Sequence, residues 1–184
     1  VTVTQTNSFG CDSTTTRIIT LLPKPTPVIT GPASICKLTS GTYSVPAVAG
    51  NTYSWSVTGG SINGPSNTNS VTISWGNFPS GVVTVTQTDA SGCDSTVNRN
   101  VTLYPYPVPV ITGNTSNCQL SAGTYSVPNV VTDTYVWTVT GGSINGSPNA
   151  SSITVSWSAA ASGTVTVTQT NPLGCDSTVT LNVT

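Results

Sequence analysis

Side chains able to do chemistry are few in this sequence, and their spacing is regular. The five cysteines are Cys11, Cys36, Cys93, Cys118 and Cys175. Steps of 82 residues separate Cys11, Cys93 and Cys175, and the same step separates Cys36 from Cys118. None forms a Cys-X-X-Cys pair and the chain has no histidine, so a zinc site lacks its usual ligands. All five carboxylates are aspartates, and Asp12, Asp94 and Asp176 are one repeated position, a whole domain apart. General acid–base catalysis needs titratable groups brought together. A Ser–His or Cys–His nucleophile is impossible without histidine. We therefore expect no enzyme, no metal and no cofactor. Disulfide formation is the chemistry that remains.

Aromatic residues offer binding rather than reaction. Tyr53, Trp55 and Trp75 could form a flat platform for sugars, the basis of an alternative reading as a carbohydrate-binding adhesin module. Period-two alternation argues instead for core, because Trp55 shares a face with Tyr53 and Val57, and Trp75 with Val71 and Ile73. Tyr104 and Tyr106 flank prolines and pad a domain junction.

Self-comparison shows what spaces these residues. Val1-Thr-Val-Thr-Gln-Thr6 returns at 83–88 and 165–170, and Gly10-Cys-Asp-Ser-Thr14 returns at 92–96 and 174–178. Trp55 matches Trp137 and Trp75 matches Trp157, all at one period of 82 without insertion. Such a period marks a tandem array. The segments beginning at Pro23 and Pro105 alternate proline with other residues, which makes them stiff, extended linkers. The predicted domains are 1–22, the C-terminal hairpin of a preceding repeat, then a whole repeat at 23–104 and a second, nearly whole one at 105–184. A lone hairpin cannot bury an apolar face, so the polypeptide is expected to continue before Val1, and beyond Thr184 as well.

Composition fixes the class of structure. Charged residues make up 5% of the chain and the net charge is −1, against roughly 25% charged in an average domain. Nucleic acid finds no basic footprint here, and no apolar run reaches the ~18 residues of a membrane span. Thr and Val favour strands while Asn, Gly and Pro favour turns. Within one repeat the predicted strands lie at Val28–Thr30, Thr42–Val45, Tyr53–Val57, Ser61–Asn63, Val71–Trp75, Val83–Val85 and Val97–Leu103. Gly59-Gly60 reads as a two-residue hairpin turn. Seven short strands in about 80 residues predict an all-β fold of tandem immunoglobulin-like sandwiches joined by Pro-rich linkers.

The motif order resembles the PKD-like and Ig-like repeats of large secreted surface proteins of Bacteroidetes. The carriers are Pro-Val-Ile-Thr-Gly31, then Ser34-Ile-Cys36, Thr52-Tyr-Ser-Trp55, the Val-Thr-Val-Thr-Gln-Thr strand and Gly-Cys-Asp. The resemblance covers the whole chain and implies an extracellular or cell-surface location. Typical PKD domains carry Trp-Asp-Phe-Gly-Asp-Gly where this chain has Trp55-Ser-Val-Thr-Gly-Gly60, so no calcium role is carried over. Asp-Ser-Thr looks like the O-glycosylation acceptor of that phylum, which would place glycans on Ser13, Ser95 and Ser177. The alternative is that Asp12, Asp94 and Asp176 close their turns by bonding backbone.

Secretion makes disulfides the default, and two connectivities stay open. Pairing Cys36 with Cys93 keeps each repeat self-contained. Strand parity opposes it, because seven alternating strands put Cys36 and Cys93 at opposite ends of a sandwich. Head-to-tail stacking would bring Cys36 to Cys175. Cys93–Cys118 is a weaker third option. The expected function is structural: a rod, stalk, surface filament or adhesin segment. Its partners would be neighbouring repeats, copies associating laterally or head to tail, and glycans or cell surfaces.

Overall fold

The computed structural model describes residues 1–184 and contains strands without helices; no helix is long and apolar enough to cross a membrane. A first hairpin pairs β1 (Thr2–Thr6) with β2 (Asp12–Thr16) and joins no other sheet. Its side chains are exposed throughout.

Repeat 1 comprises β3 (Ser34–Cys36), β4 (Ser40–Ser44), β5 (Thr52–Thr58), β6 (Gly60–Asn63), β7 (Ser70–Trp75), β8 (Ser80–Thr88) and β9 (Asp94–Tyr104). They form two sheets, β3-β9-β8-β5 and β4-β7-β6. Repeat 2 reproduces them without a counterpart of β3, as β11-β14-β15 and β10-β13-β12, from β10 (Ala122–Ser126), β11 (Thr134–Thr140), β12 (Gly142–Asn145), β13 (Ser152–Trp157), β14 (Gly163–Thr170) and β15 (Asp176–Val183). This is the predicted all-β pair of immunoglobulin-like sandwiches.

Alternation in sequence becomes burial in space. Along β8, Val83, Val85 and Gln87 are buried while the intervening threonines reach the surface. There the threonines pair across strands, as Thr86 with Thr96 and Thr168 with Thr178, both at 2.7 Å. Each core is topped by an edge-to-face aromatic pair, Tyr43–Trp75 at 5.9 Å and Tyr125–Trp157 at 6.0 Å, a favoured geometry for ring quadrupoles. A glycine lies beneath each Trp: a Cβ on Gly81 or Gly163 would run into the ring of Trp75 or Trp157.

Two local expectations are corrected. Gly59-Gly60 is not a hairpin turn, because β5 and β6 belong to different sheets. Gly59 adopts φ +78° at a corner where a Cβ would meet the Ser80 carbonyl at 2.7 Å, and its own carbonyl accepts from Gly76 N–H at 2.9 Å. The chain thereby crosses from one sheet to the other. The strand expected at Val28–Thr30 shrinks to a single bridge, Thr30 to Ser44. The chain then crosses over and pairs as β3, parallel to the end of β9, with Cys36 opposite Tyr104. The proline segments form no strand, yet Ile29 is 6% exposed and sits in the core. The first strand is thus split between sheets. That split places Cys36.

Candidate functional site

Chemistry in this molecule concentrates where the two repeats meet. On one side stands the F–G turn between β14 and β15. Asn171 accepts backbone N–H bonds from Leu173 and Cys175 at its Oδ1, both 3.0 Å. Gly174 takes φ +80°, which glycine adopts without Cβ strain. The same turn occurs at Asn7, bonding Phe9 and Cys11 (2.9 and 3.0 Å), and at Asp89, bonding Ser91 and Cys93 (2.9 Å each). The turn-closing side chain is therefore the Asx residue four before the cysteine, rather than Asp12, Asp94 or Asp176. Its recurrence as Asn, Asp and Asn was the available signal, masked because the residue type changes.

On the other side stands the end of β3. Lys37 N–H donates to the Tyr104 carbonyl at 2.8 Å, and Thr39 Oγ1 donates to the Cys36 carbonyl at 2.6 Å. Between them Leu38 takes φ 59°, an uncommon value for a branched residue. Tyr104 runs directly into Pro105, whose carbonyl accepts from Asn171 Nδ2 at 3.2 Å. The two cysteine segments are thus anchored to consecutive residues, that of Cys36 to Tyr104 and that of Cys175 to Pro105.

Cys36 and Cys175 are joined by a disulfide with a Cα–Cα distance of 5.8 Å, and Cys175 is 1% exposed. Cys11, Cys93 and Cys118 are free. The pair Cys36–Cys93 is not formed, and β9 explains why. Cys36 lies beside Tyr104 at one end of that strand, while Cys93 precedes Asp94 at the other. Eleven residues at about 3.3 Å each put them more than 30 Å apart.

Other sequence candidates lie elsewhere. Ser13 is exposed, whereas Ser95 and Ser177 are half-buried on the inner side of their strands, opposite Gln87 and Gln169. All four tryptophans are buried; Trp55 and Trp137 donate from Nε1 to the carbonyls of Thr68 and Ala150, both at 2.7 Å. The sugar platform would have needed those faces in solvent. A shallow groove of about 430 Å³ beside the first proline segment has Lys24 and Asp89 as its only charged walls. No group of three His, Cys, Asp or Glu side chains is placed to hold a metal ion.

Burial pushes the Tyr43 hydroxyl above the ordinary tyrosine value of 10.0, with the nearby Trp75 indole and Arg99 charge pulling the other way. Neither Tyr43 OH nor Trp75 Nε1 makes a well-formed hydrogen bond. In repeat 2 the matching Tyr125 OH accepts from Asn117 Nδ2 at 2.8 Å and donates to the Asn114 carbonyl at 3.0 Å. Repeat 1 has Ile35 and Pro32 at those places.

Comparison with known structures finds several similar chains at low identity. Murine CEACAM1b is 13% identical, covering 85% of this chain and 99% of its own, with a TM-score of 0.37. The fibronectin(III)-like modules of Clostridium thermocellum CbhA are 8% identical, covering 85% and 93%, with a TM-score of 0.42. The Yersinia pseudotuberculosis adhesin InvE is 14% identical, covering 86% and 58%, with a TM-score of 0.31. No curated protein matches the chain. The PKD-like domain family matches residues 22–102 and again 104–183, so the chain belongs to that family, as two consecutive copies.

Proposed function

We propose that this chain is a structural segment of an extracellular rod, stalk or surface filament, in which consecutive PKD-like sandwiches are fixed to one another covalently. The observation that carries this reading is the Cys36–Cys175 bond, which joins two domains rather than closing one. A bond of this kind persists in an oxidising compartment outside the cytosol. Its mechanical consequence is a junction that cannot open without breaking a covalent bond. The threonine-lined surface suits the same location, since cross-strand hydroxyl pairs hydrate the sheets without charge. Solubility should then depend little on salt.

Ser13, Ser95 and Ser177 remain the candidate O-glycan acceptors, with Ser13 the most accessible. An intact mass from the native source that matches bare polypeptide would remove them. Location is tested by labelling intact cells of the native source with antibody raised against the 184-residue chain. Labelling is expected without permeabilisation. Signal that appears only after lysis would overturn the reading.

A further inference from the structure

Each sandwich carries two cysteine positions at opposite ends, and the structure shows what the two positions do to each other. The position of Cys36 bonds the F–G cysteine of the sandwich that follows it. Cys118 is the same position one period later, exposed and unbonded. Its turn is already held in the bonded shape. Leu120 takes φ 61°, as Leu38 takes 59°. Ser121 Oγ donates to the Cys118 carbonyl at 2.6 Å, as Thr39 does to Cys36. Asn117 N–H donates to the Thr184 carbonyl at 3.0 Å, at the places of Ile35 and Thr102 in repeat 1, although no strand equivalent to β3 forms here. A left-handed leucine is a local strain of about 1 kcal/mol. It recurs at Cys118 where no disulfide enforces it.

We infer that the end of repeat 2 around Cys118 is a preformed docking site for the F–G turn of another copy of this repeat, and that Cys118 bonds the cysteine of that turn. This rests on the rod reading and extends it, by naming the surface through which one unit receives the next. The occupant is defined by what occupies the equivalent face of repeat 1: an Asx-X-X-Gly-Cys turn whose cysteine N–H is tied to the Asx side chain. Cys93, in a turn of the same geometry, is the complementary half at the other end. A small recess of about 40 Å³ beside Cys118 is lined by Trp157, Ala160 and Val183. Repeat 1 has Phe78 at the position of Ala160, lying over Gly76.

The bond forms by thiol–disulfide exchange with a disulfide oxidant, such as oxidised glutathione or a protein disulfide. The Cys118 thiolate attacks one oxidant sulfur and expels the other as a thiolate. The incoming cysteine thiolate then attacks Cys118 Sγ and releases the second oxidant thiolate. Two protein thiols lose two electrons and two protons, and the oxidant gains them as two thiols.

The test extends the full chain at Thr184 with a second copy of residues 103–184, which keeps the 82-residue register, and refolds it in a glutathione redox buffer. Peptide mapping without reduction should join Cys118 to the cysteine of the appended F–G turn in the molecules that also contain Cys36–Cys175. Cys118→Ser should abolish that peptide alone. Molecules with Cys36–Cys175 intact but Cys118 fully alkylatable would overturn the inference and leave the rod reading standing. Loss of both bonds would overturn both. Should the extended chain not fold, the 184-residue chain is oxidised at high concentration. Cross-links from Cys118 to Cys11 or Cys93 of a second molecule should exceed Cys118–Cys118 links several-fold. A majority of Cys118–Cys118 would overturn the inference.

Discussion

Removing the staple should change how the two sandwiches unfold as well as how stably. The perturbation is Cys36→Ser with Cys175→Ser, in a background where Cys11, Cys93 and Cys118 are serine in both proteins. The bond spans 139 residues, which on the chain-entropy account is worth about 5 kcal/mol when everything unfolds together. If only repeat 2 unfolds, β3 still holds Cys36 against Tyr104. The closed loop is then about 70 residues and the bond contributes about 4 kcal/mol. If only repeat 1 unfolds, Asn171 still holds Pro105, and a loop of similar length again gives about 4 kcal/mol. The two single-repeat figures exceed the joint figure by about 3–4 kcal/mol, so states with one repeat unfolded are penalised by that much. The oxidised protein should melt in one transition, about 10–20 °C above the double-serine variant, which should show two. Differential scanning calorimetry reads both quantities. Melting temperatures within about 3 °C, or two transitions in the oxidised protein, would refute the reasoning.

Three further outcomes follow from particular contacts. Gly163→Ala places a methyl group in the ring of Trp157 and against the Thr140 carbonyl, so the urea midpoint should fall by the equivalent of about 1–3 kcal/mol. An unchanged midpoint would mean the Trp has free space. Tyr125→Phe removes two hydrogen bonds and should cost about 1–2 kcal/mol, whereas Tyr43→Phe removes an unpartnered hydroxyl and should be close to neutral. Because the Tyr43 pKa is raised in the fold, its contribution is complete below the ordinary tyrosine value and lost as pH rises past it. Tyr43→Phe should therefore flatten the alkaline decline in stability, and an unaltered profile would count against this. Asn171→Ala removes the bonds from Leu173 and Cys175 N–H that shape the turn, and one to Pro105. It should slow Cys36–Cys175 oxidation several-fold, while Asp89→Ala, which disturbs the same turn away from the junction, should not.

Much of the fold was legible because its signal is periodic. Val83 and Val85 alternate with threonines, and Val71, Ile73 and Trp75 alternate with serine and threonine. Period-two burial then follows directly. Trp55 and Trp75 read correctly as core for the same reason. The misread places are where sheet membership changes, a property that local pattern does not encode. Gly59-Gly60 carries the composition of a hairpin turn, and only the Ser80 carbonyl pressed against Gly59 reveals a corner between sheets. Val28–Thr30 has strand composition, but after the bridge at Thr30 the chain leaves for the other sheet.

The junction shows how far such reasoning reaches. Counting strands places Cys36 and Cys93 at opposite ends of a sandwich, which is a long-range statement obtained from parity alone. Parity does not say which edge of the sandwich Cys36 occupies, and a disulfide demands Cα atoms within about 7 Å. That last step comes from the split first strand. Had the segment stayed beside β4 after Thr30, Cys36 would have ended on the sheet opposite β9. By crossing to β9 it ends opposite Tyr104, the last strand residue before Pro105. The same tether reaches Asn171 from the other side, so the connection between the sandwiches aligns their cysteines. The tolerance of the bond is a few ångströms, and the junction meets it with one backbone pairing and one side-chain amide. Within the paired segments that tolerance is strict: one residue added inside the end of β9 that pairs with β3, or between Asn171 and Cys175, would shift a partner by about 3.3 Å and turn its side chain to the other face.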